Sequence, residues 1–193
     1  MNLKLKRHNQ SGFTLIELLV ALAILSILAL LAVNAFDGAR SKAQAMISLS
    51  KQVGDANIAL KTDTGCYVNK PAALFDETTA LVAGNNYCNR NFGRSWARSY
   101  LGRQEFDATN GNLKINKIAS EVTVSFGRDA VGLGRVYYIR TDNVPNDIIR
   151  QALIECNGTD EGTFAFPANK CRATLSASGG ETGTFDMQYD ESR

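Results

Sequence analysis

One stretch constrains this chain more than any other. From Gly12 to Phe36 it reads GFTLIELLVALAILSILALLAVNAF, and the twenty-four residues after Gly12 carry one charge, Glu17. A bilayer core about 30 Å thick takes about 20 apolar residues as a helix, so the run is long enough to span. It contains no Gly or Pro after Gly12. Glu17 is the anomaly: a carboxylate at the centre of a membrane helix costs roughly 2.5–3.5 kcal/mol on insertion scales, and such residues usually have a function. Its place near the start of the run lowers that cost without supplying a packing reason for an acid.

The 193 residues suit one domain with an appendage. Net charge is +2, but Lys4, Lys6 and Arg7 stand before the apolar run with no acid among them. Without residues 1–12 the balance is 18 basic against 19 acidic side chains, which excludes a generally basic, nucleic-acid-like composition. The one histidine, His8, lies in the same basic head. If the head is removed, Ser-His-Asp and Cys-His nucleophilic arrangements and His-containing zinc sites go with it. An enzyme is therefore not expected, and neither a cofactor nor a metal site is.

Four cysteines, Cys66, Cys88, Cys156 and Cys171, include no C-x-x-C pair. An even count in a membrane-targeted chain points to two disulfides formed in an oxidising compartment. Three pairings are possible. Cys66–Cys88 with Cys156–Cys171 is favoured, because each closes a short loop of irregular, polar sequence.

A secretory signal places its small-residue cleavage site after the apolar region. Here Gly12 comes before it and no A-x-A follows it. An uncleaved anchor with its basic end held in the cytoplasm is one reading. The segment Gly12-Phe13-Thr14-Leu15-Ile16-Glu17-Leu18 supports another, because it resembles the processing site of type IV pilins and pseudopilins. The resemblance implies that a prepilin peptidase cuts after Gly12 and methylates Phe13, and that Glu17 acts in assembly. It also implies partners: further copies of the chain in a helical polymer, minor pilins, and the inner-membrane assembly platform with its ATPase. Residues 13–36 would sit in the membrane first and in the filament core afterwards.

The chemistry agrees with that order. Cutting before Phe13 leaves an ammonium at the end of an apolar helix, and an acid four residues in can neutralise a neighbour's amine where charges need pairing. The simpler alternative is a Glu17 that snorkels at the membrane edge. One departure stands at Asn34, where many pilins have a proline that would break the helical ladder. Asn34 with Asp37-Gly38 weakens a helix less sharply.

Beyond Ala39, apolar residues recur at Ala43, Met46, Leu49, Val53, Ala56 and Leu60, an amphipathic helix with one face to bury. A helix from Phe13 to about Lys61 would be roughly 70 Å long. In Asn89–Arg103, Arg90, Arg94 and Arg98 recur every four residues, as do Phe92, Trp96 and Tyr100. On a helix these make two nearly opposed stripes. Aromatics facing a core and arginines facing solvent or a neighbour is one reading; a patch of Arg90, Arg94, Arg98 and Trp96 for DNA or a host surface is another.

The second half reads as a sheet. EVTVSF at 121–126 and the alternation from Leu133 to Ile139 predict a hairpin with a longer loop over 127–132. Pro145 to Cys156 reads as a helix, with shorter strands at 163–166, 173–178 and 183–189 and a polar tail from Asp190. The expected fold is α+β: a long N-terminal helix, membrane-spanning then amphipathic, packed on a C-terminal antiparallel sheet. The expected division is a cleaved leader at 1–12, the long helix at 13–62, and a head at 63–193 with an αβ-loop and a disulfide-closed C-terminal loop. The 181 residues after Gly12 and the Pro145–Cys156 helix are more like type IVb pilins; the short leader and Phe13 are more like type IVa. The function implied is a pilus subunit, for adhesion, motility or DNA uptake, that starts in the inner membrane and ends in an extracellular filament. The alternatives are a pseudopilin of a type II secretion system and a minor pilin binding through the arginines.

Overall fold

The computed structural model describes residues 15–161, 166, 169–176 and 181–192, without the side chains of residues 27 and 29–37. Helix α1 runs from Leu15 to Thr64, through Asn34, Asp37 and Gly38 without a break. The chain forms two compact units, residues 1–38 and Ala39–Arg193, so the second part of α1 belongs to the head. The boundaries expected for the leader and for the start of the helix lie outside the described residues.

In the head, α1 buries Ala43, Met46, Val53, Ala56 and Leu60, while Leu49 is half-buried. The three-and-four spacing puts these side chains on one stripe, and each fully buried large apolar side chain contributes about 1.5–3 kcal/mol. The stripe also takes in Ser50, Gly54 and Asn57, which hydropathy does not reveal. A Cβ on Gly54 would stand 2.6 Å from the Tyr189 Cβ, so glycine is what lets α1 close on the sheet there. Asn57 is buried and satisfied: its amide donates to the Val68 carbonyl and the Tyr189 hydroxyl, at 3.1 and 3.0 Å, and its oxygen accepts from Val68 N–H.

The chain then crosses the head through short pieces: a 3-10 turn at Pro71–Leu74, helix α2 at Glu77–Ala80, and further 3-10 turns at Ala83–Asn85 and Gly93–Ser95. Asp76 caps α2, accepting from the Thr79 N–H at 2.8 Å. Five strands follow: β1 Leu113–Lys114, β2 Thr123–Val131, β3 Gly134–Pro145, β4 Cys171–Thr174 and β5 Thr182–Ser192, with helix α3 at Asn146–Asn157. They form one antiparallel sheet in the order β1-β2-β3-β5-β4. The fold is thus α+β, an N-terminal helix packed on a five-stranded antiparallel sheet, consistent with a pilin-like fold.

Several expected boundaries are corrected. The loop expected at 127–132 is mostly strand: β2 continues to Val131, which pairs with Gly134, leaving a two-residue turn at Gly132-Leu133. Gly132 takes a φ of +57°, the conformation that the first loop position of a type II′ hairpin requires. Leu133, expected in a strand, is exposed in that turn. β3 runs on to Pro145, so α3 begins at Asn146; it ends at Gly158, whose φ of +79° closes the helix with an N–H to the Ile154 carbonyl. The polar tail is also strand, with Asp190 and Glu191 paired to Tyr137 and Val136. Long, two-sided strands defeat short alternation windows because polar residues on the outer face look like loop. The strand expected at 163–166 lies outside the described residues except for Phe166, a turn; that at 173–178 is β4 as far as Thr174, with 177–178 outside.

Candidate functional site

The three regions singled out by sequence fall in different places. Gly12 and Phe13 lie outside the described residues. Glu17 lies near the beginning of the described part of α1. Ile16, Val20, Ala21 and Ile24 line a shallow apolar depression with it, placing one acid on an otherwise apolar surface. The neighbouring side chains are unusually open for their type: Leu15 is 79% and Ile16 69% exposed. A helix surface apolar on every side needs a membrane or other helices around it. Among the described residues no helix is long and apolar enough to cross a membrane; much of the span expected at 13–36 has side chains outside that description.

Disulfides join Cys66 to Cys88 and Cys156 to Cys171, with Cα–Cα distances of 6.2 and 6.1 Å, the pairing favoured from the sequence. The first ties the end of α1 to the crossing segment. The second ties the end of α3 to the edge strand β4, beside a two-way amide clasp in which Asn157 donates to the Cys171 carbonyl at 2.7 Å and accepts its N–H at 3.2 Å.

The arginine stretch is not a helix. Asn89 and Gly93 take positive φ, Asn91 accepts the Gly93 N–H through its side chain, and one 3-10 turn at Gly93–Ser95 is all that forms. Glycine and the asparagines outweigh the four-residue periodicity, because their side chains and φ freedom compete with the helical ladder. The separation of faces survives by other means. Arg90, Arg94 and Arg98 are exposed, while Phe92 is buried and Trp96 and Tyr100 are half-buried. Trp96 donates its indole N–H to the Ala73 carbonyl at 3.0 Å, and Tyr100 donates its hydroxyl to Asp63 at 2.9 Å. Burial first, then that bond to Asp63, pushes the Tyr100 phenol above its ordinary value. Arg98 lies 3.9 Å from the same Asp63 and over the Tyr100 ring. Among the described residues, Phe92 is packed in the core and Trp96 and Tyr100 are held by hydrogen bonds within the head.

Two further clusters were not foreseen. On one face of the sheet, Asp186 receives two hydrogen bonds from Arg140, at 2.8 and 2.9 Å, and one from Arg172 at 2.8 Å; Arg172 also reaches Asp129 at 2.7 Å. The Asp186 side chain is 5% exposed, so it is a carboxylate held by two guanidiniums. The bond to Asp186 raises the already high pKa of Arg140. Arg172 is also stacked against Tyr138 and Phe166, its guanidinium 4.7 and 4.4 Å from their centroids. The second cluster joins Tyr67, Tyr87, Tyr137, Tyr189 and Phe126 by ring contacts of 4.3–6.3 Å. The Tyr67 hydroxyl bonds to Asp190. Burial pushes the Tyr87 phenol up to about 12, partly opposed by Arg128 above its ring. The sequence signal for the first cluster was charge inside strands, at Asp129, Arg140, Arg172 and Asp186. Pairing those charges required the strand order, which is not local information.

No curated protein and no solved structure matches the chain. Residues 7–33 match the prokaryotic N-terminal methylation motif. That motif implies processing by a prepilin peptidase of a membrane-anchored precursor and assembly into a polymer. It supports a type IV pilin or a pseudopilin. The chain carries at its N-terminus the class III signal peptide of type IV pilins and pseudopilins.

Proposed function

We propose that this protein is a structural subunit of a type IV pilus and not an enzyme. The precursor sits in the inner membrane through residues 13–36, is cut after Gly12 and methylated on Phe13, and polymerises through its apolar helix into an extracellular filament. Glu17 pairs with the Phe13 amine of another copy, bringing opposite charges together where an apolar bundle excludes water. The platform and ATPase of the pilus machinery extract the subunit, and minor pilins join the fibre.

The observation that carries this reading is the methylation motif over residues 7–33, continuous with a helix whose described apolar side chains are exposed around it. Two disulfides in the head favour a surface fibre over a pseudopilin of type II secretion, because a fibre outside the cell gains most from stapled loops. Electron microscopy of cells lacking the chain tests the choice. The expected result is loss of surface fibres with secretion intact; intact fibres and blocked secretion would transfer the assignment to the pseudopilin.

A second reading, a minor pilin that binds DNA or a host surface, draws on the exposed Arg90, Arg94 and Arg98. Trp96 does not support it, since its N–H is already bonded to Ala73. Binding of DNA by the full chain in detergent that is equal with and without the three arginines removes the DNA form of this reading, and equal adhesion of cells carrying the two chains removes the host-surface form.

A further inference from the structure

We propose that the exposed arginine segment of one head docks against the acidic C-terminal region of a second copy, giving the filament a salt-sensitive head-to-tail contact. The inference rests on the filament reading above.

Residues 78–104 contain Arg90, Arg94, Arg98 and Arg103 and no acid. All four are exposed. Arg98 has a loose partner in Asp63. The Thr79 hydroxyl, above all, holds the Asp76 carboxyl below its ordinary value, and Arg103 is the least of the contributors. Arg90 and Arg94 enter no ion pair among the described residues. The opposite imbalance lies in residues 142–193, with nine acids against four bases. Some of those acids are used inside the head: Glu155 with Arg40, Asp160 with Arg150, Asp190 with Lys61, and Asp186 with its two arginines. Asp147, Glu161 and Glu181 are exposed and enter no ion pair among the described residues. Among the described residues no ion pair joins the arginine segment to the acidic one. Each head thus carries an exposed basic segment and exposed acids that do not pair with each other among the described residues.

Two different patches that attract each other make a heterologous contact, the kind that repeats along an open polymer. The complementarity sets register and partner choice more than raw strength, because exposed ion pairs are weak and screened. The Glu17–Phe13 pair sets the stagger inside the helix bundle, and charged heads add a second constraint on register at the filament surface. The built-in aromatics give the arginines a firm base: Phe92, Trp96 and Tyr100 hold the backbone while the guanidiniums stay outside.

The test uses full-length chain in filaments sheared from cells. Reversing Arg90, Arg94 and Arg98 to Glu places like charges together and lowers filament yield by more than about tenfold. Adding Asp147→Arg, Glu161→Arg and Glu181→Arg to the same chain restores the attraction with its signs exchanged, and yield recovers. Unchanged yield in the first variant, or no recovery in the second, overturns the proposal. Folding is kept out of the result by Arg90→Lys, Arg94→Lys and Arg98→Lys, which preserve charge and admit carbodiimide coupling to carboxylates. In filaments mixed from isotopically light and heavy copies, the expected cross-links join these lysines to acids of 142–193 between copies. Cross-links confined to one copy, or to acids elsewhere, contradict it. Wild-type cells that make no fibre from this chain would refute the filament reading itself, a separate outcome.

Discussion

The two parts of α1 solve opposite problems with one secondary structure. From Leu15 to Leu28 the described side chains leave large hydrophobics open on every side. From Ala39 to Thr64 a single stripe is buried, and the remaining surface carries Arg40, Lys42, Lys51, Gln52 and Asp55. The second part is stabilised by its own head. The first has no such partner among the described residues of its unit, and the function proposed above supplies one in a membrane or in other copies. One helix can therefore serve a folded domain and an assembly, provided the change of pattern falls where the head begins.

The largest test of that contrast is Glu17→Val. It should abolish filaments while leaving the thermal midpoint of the head unchanged, as seen by electron microscopy and calorimetry of the detergent-solubilised chain. A lowered midpoint would place Glu17 in head stability and erase the distinction. Next comes a matched pair of truncations. Leu60→Ala, in the buried stripe, should cost about 2–5 kcal/mol in urea unfolding of the head. Leu22→Ala, in the open stretch, should shift it by less than about 0.5 kcal/mol.

The legible and illegible parts of the sequence divide along the same line. The apolar run, Glu17 and the Ala43–Leu60 stripe could be read because helical periodicity is local. The α+β class and both disulfides followed from short-range features. Gly54 and Asn57 could not be read: their roles depend on Tyr189 and Val68 lying against the helix, which is a tertiary fact. The arginine stretch misled in form, since four-residue spacing suggested a helix where Asn89 and Gly93 impose turns. The Arg140–Asp186–Arg172 network was hidden for a further reason: its members come from three strands whose order the sequence does not state.

Smaller effects sharpen what holds the head. Asp186→Asn leaves two guanidiniums with a reduced counter-charge. Breaking a buried pair costs about 3–5 kcal/mol, and the part-exposed arginines place this case near 3 kcal/mol, checked by urea midpoint. Replacing Cys156 and Cys171 together by Ala should cost at most about 3 kcal/mol for a 15-residue separation, with the Asn157 clasp limiting the loss. The smallest effect is alkaline. Tyr87 has its folded pKa raised to about 12 from an ordinary 10.0, so the unfolded chain ionises first. Its contribution is intact below pH 10 and is lost as pH rises toward 12. Tyr87→Phe should flatten the fall of thermal midpoint over that range.

Mass spectrometry of the native N-terminus tests the central claim most directly. The temporary-anchor account predicts a chain that starts at Phe13, carries a methyl group on its α-amine and retains Glu17 as its fifth residue. A chain from cells that still begins at Met1, or that begins beyond Glu17, would contradict it.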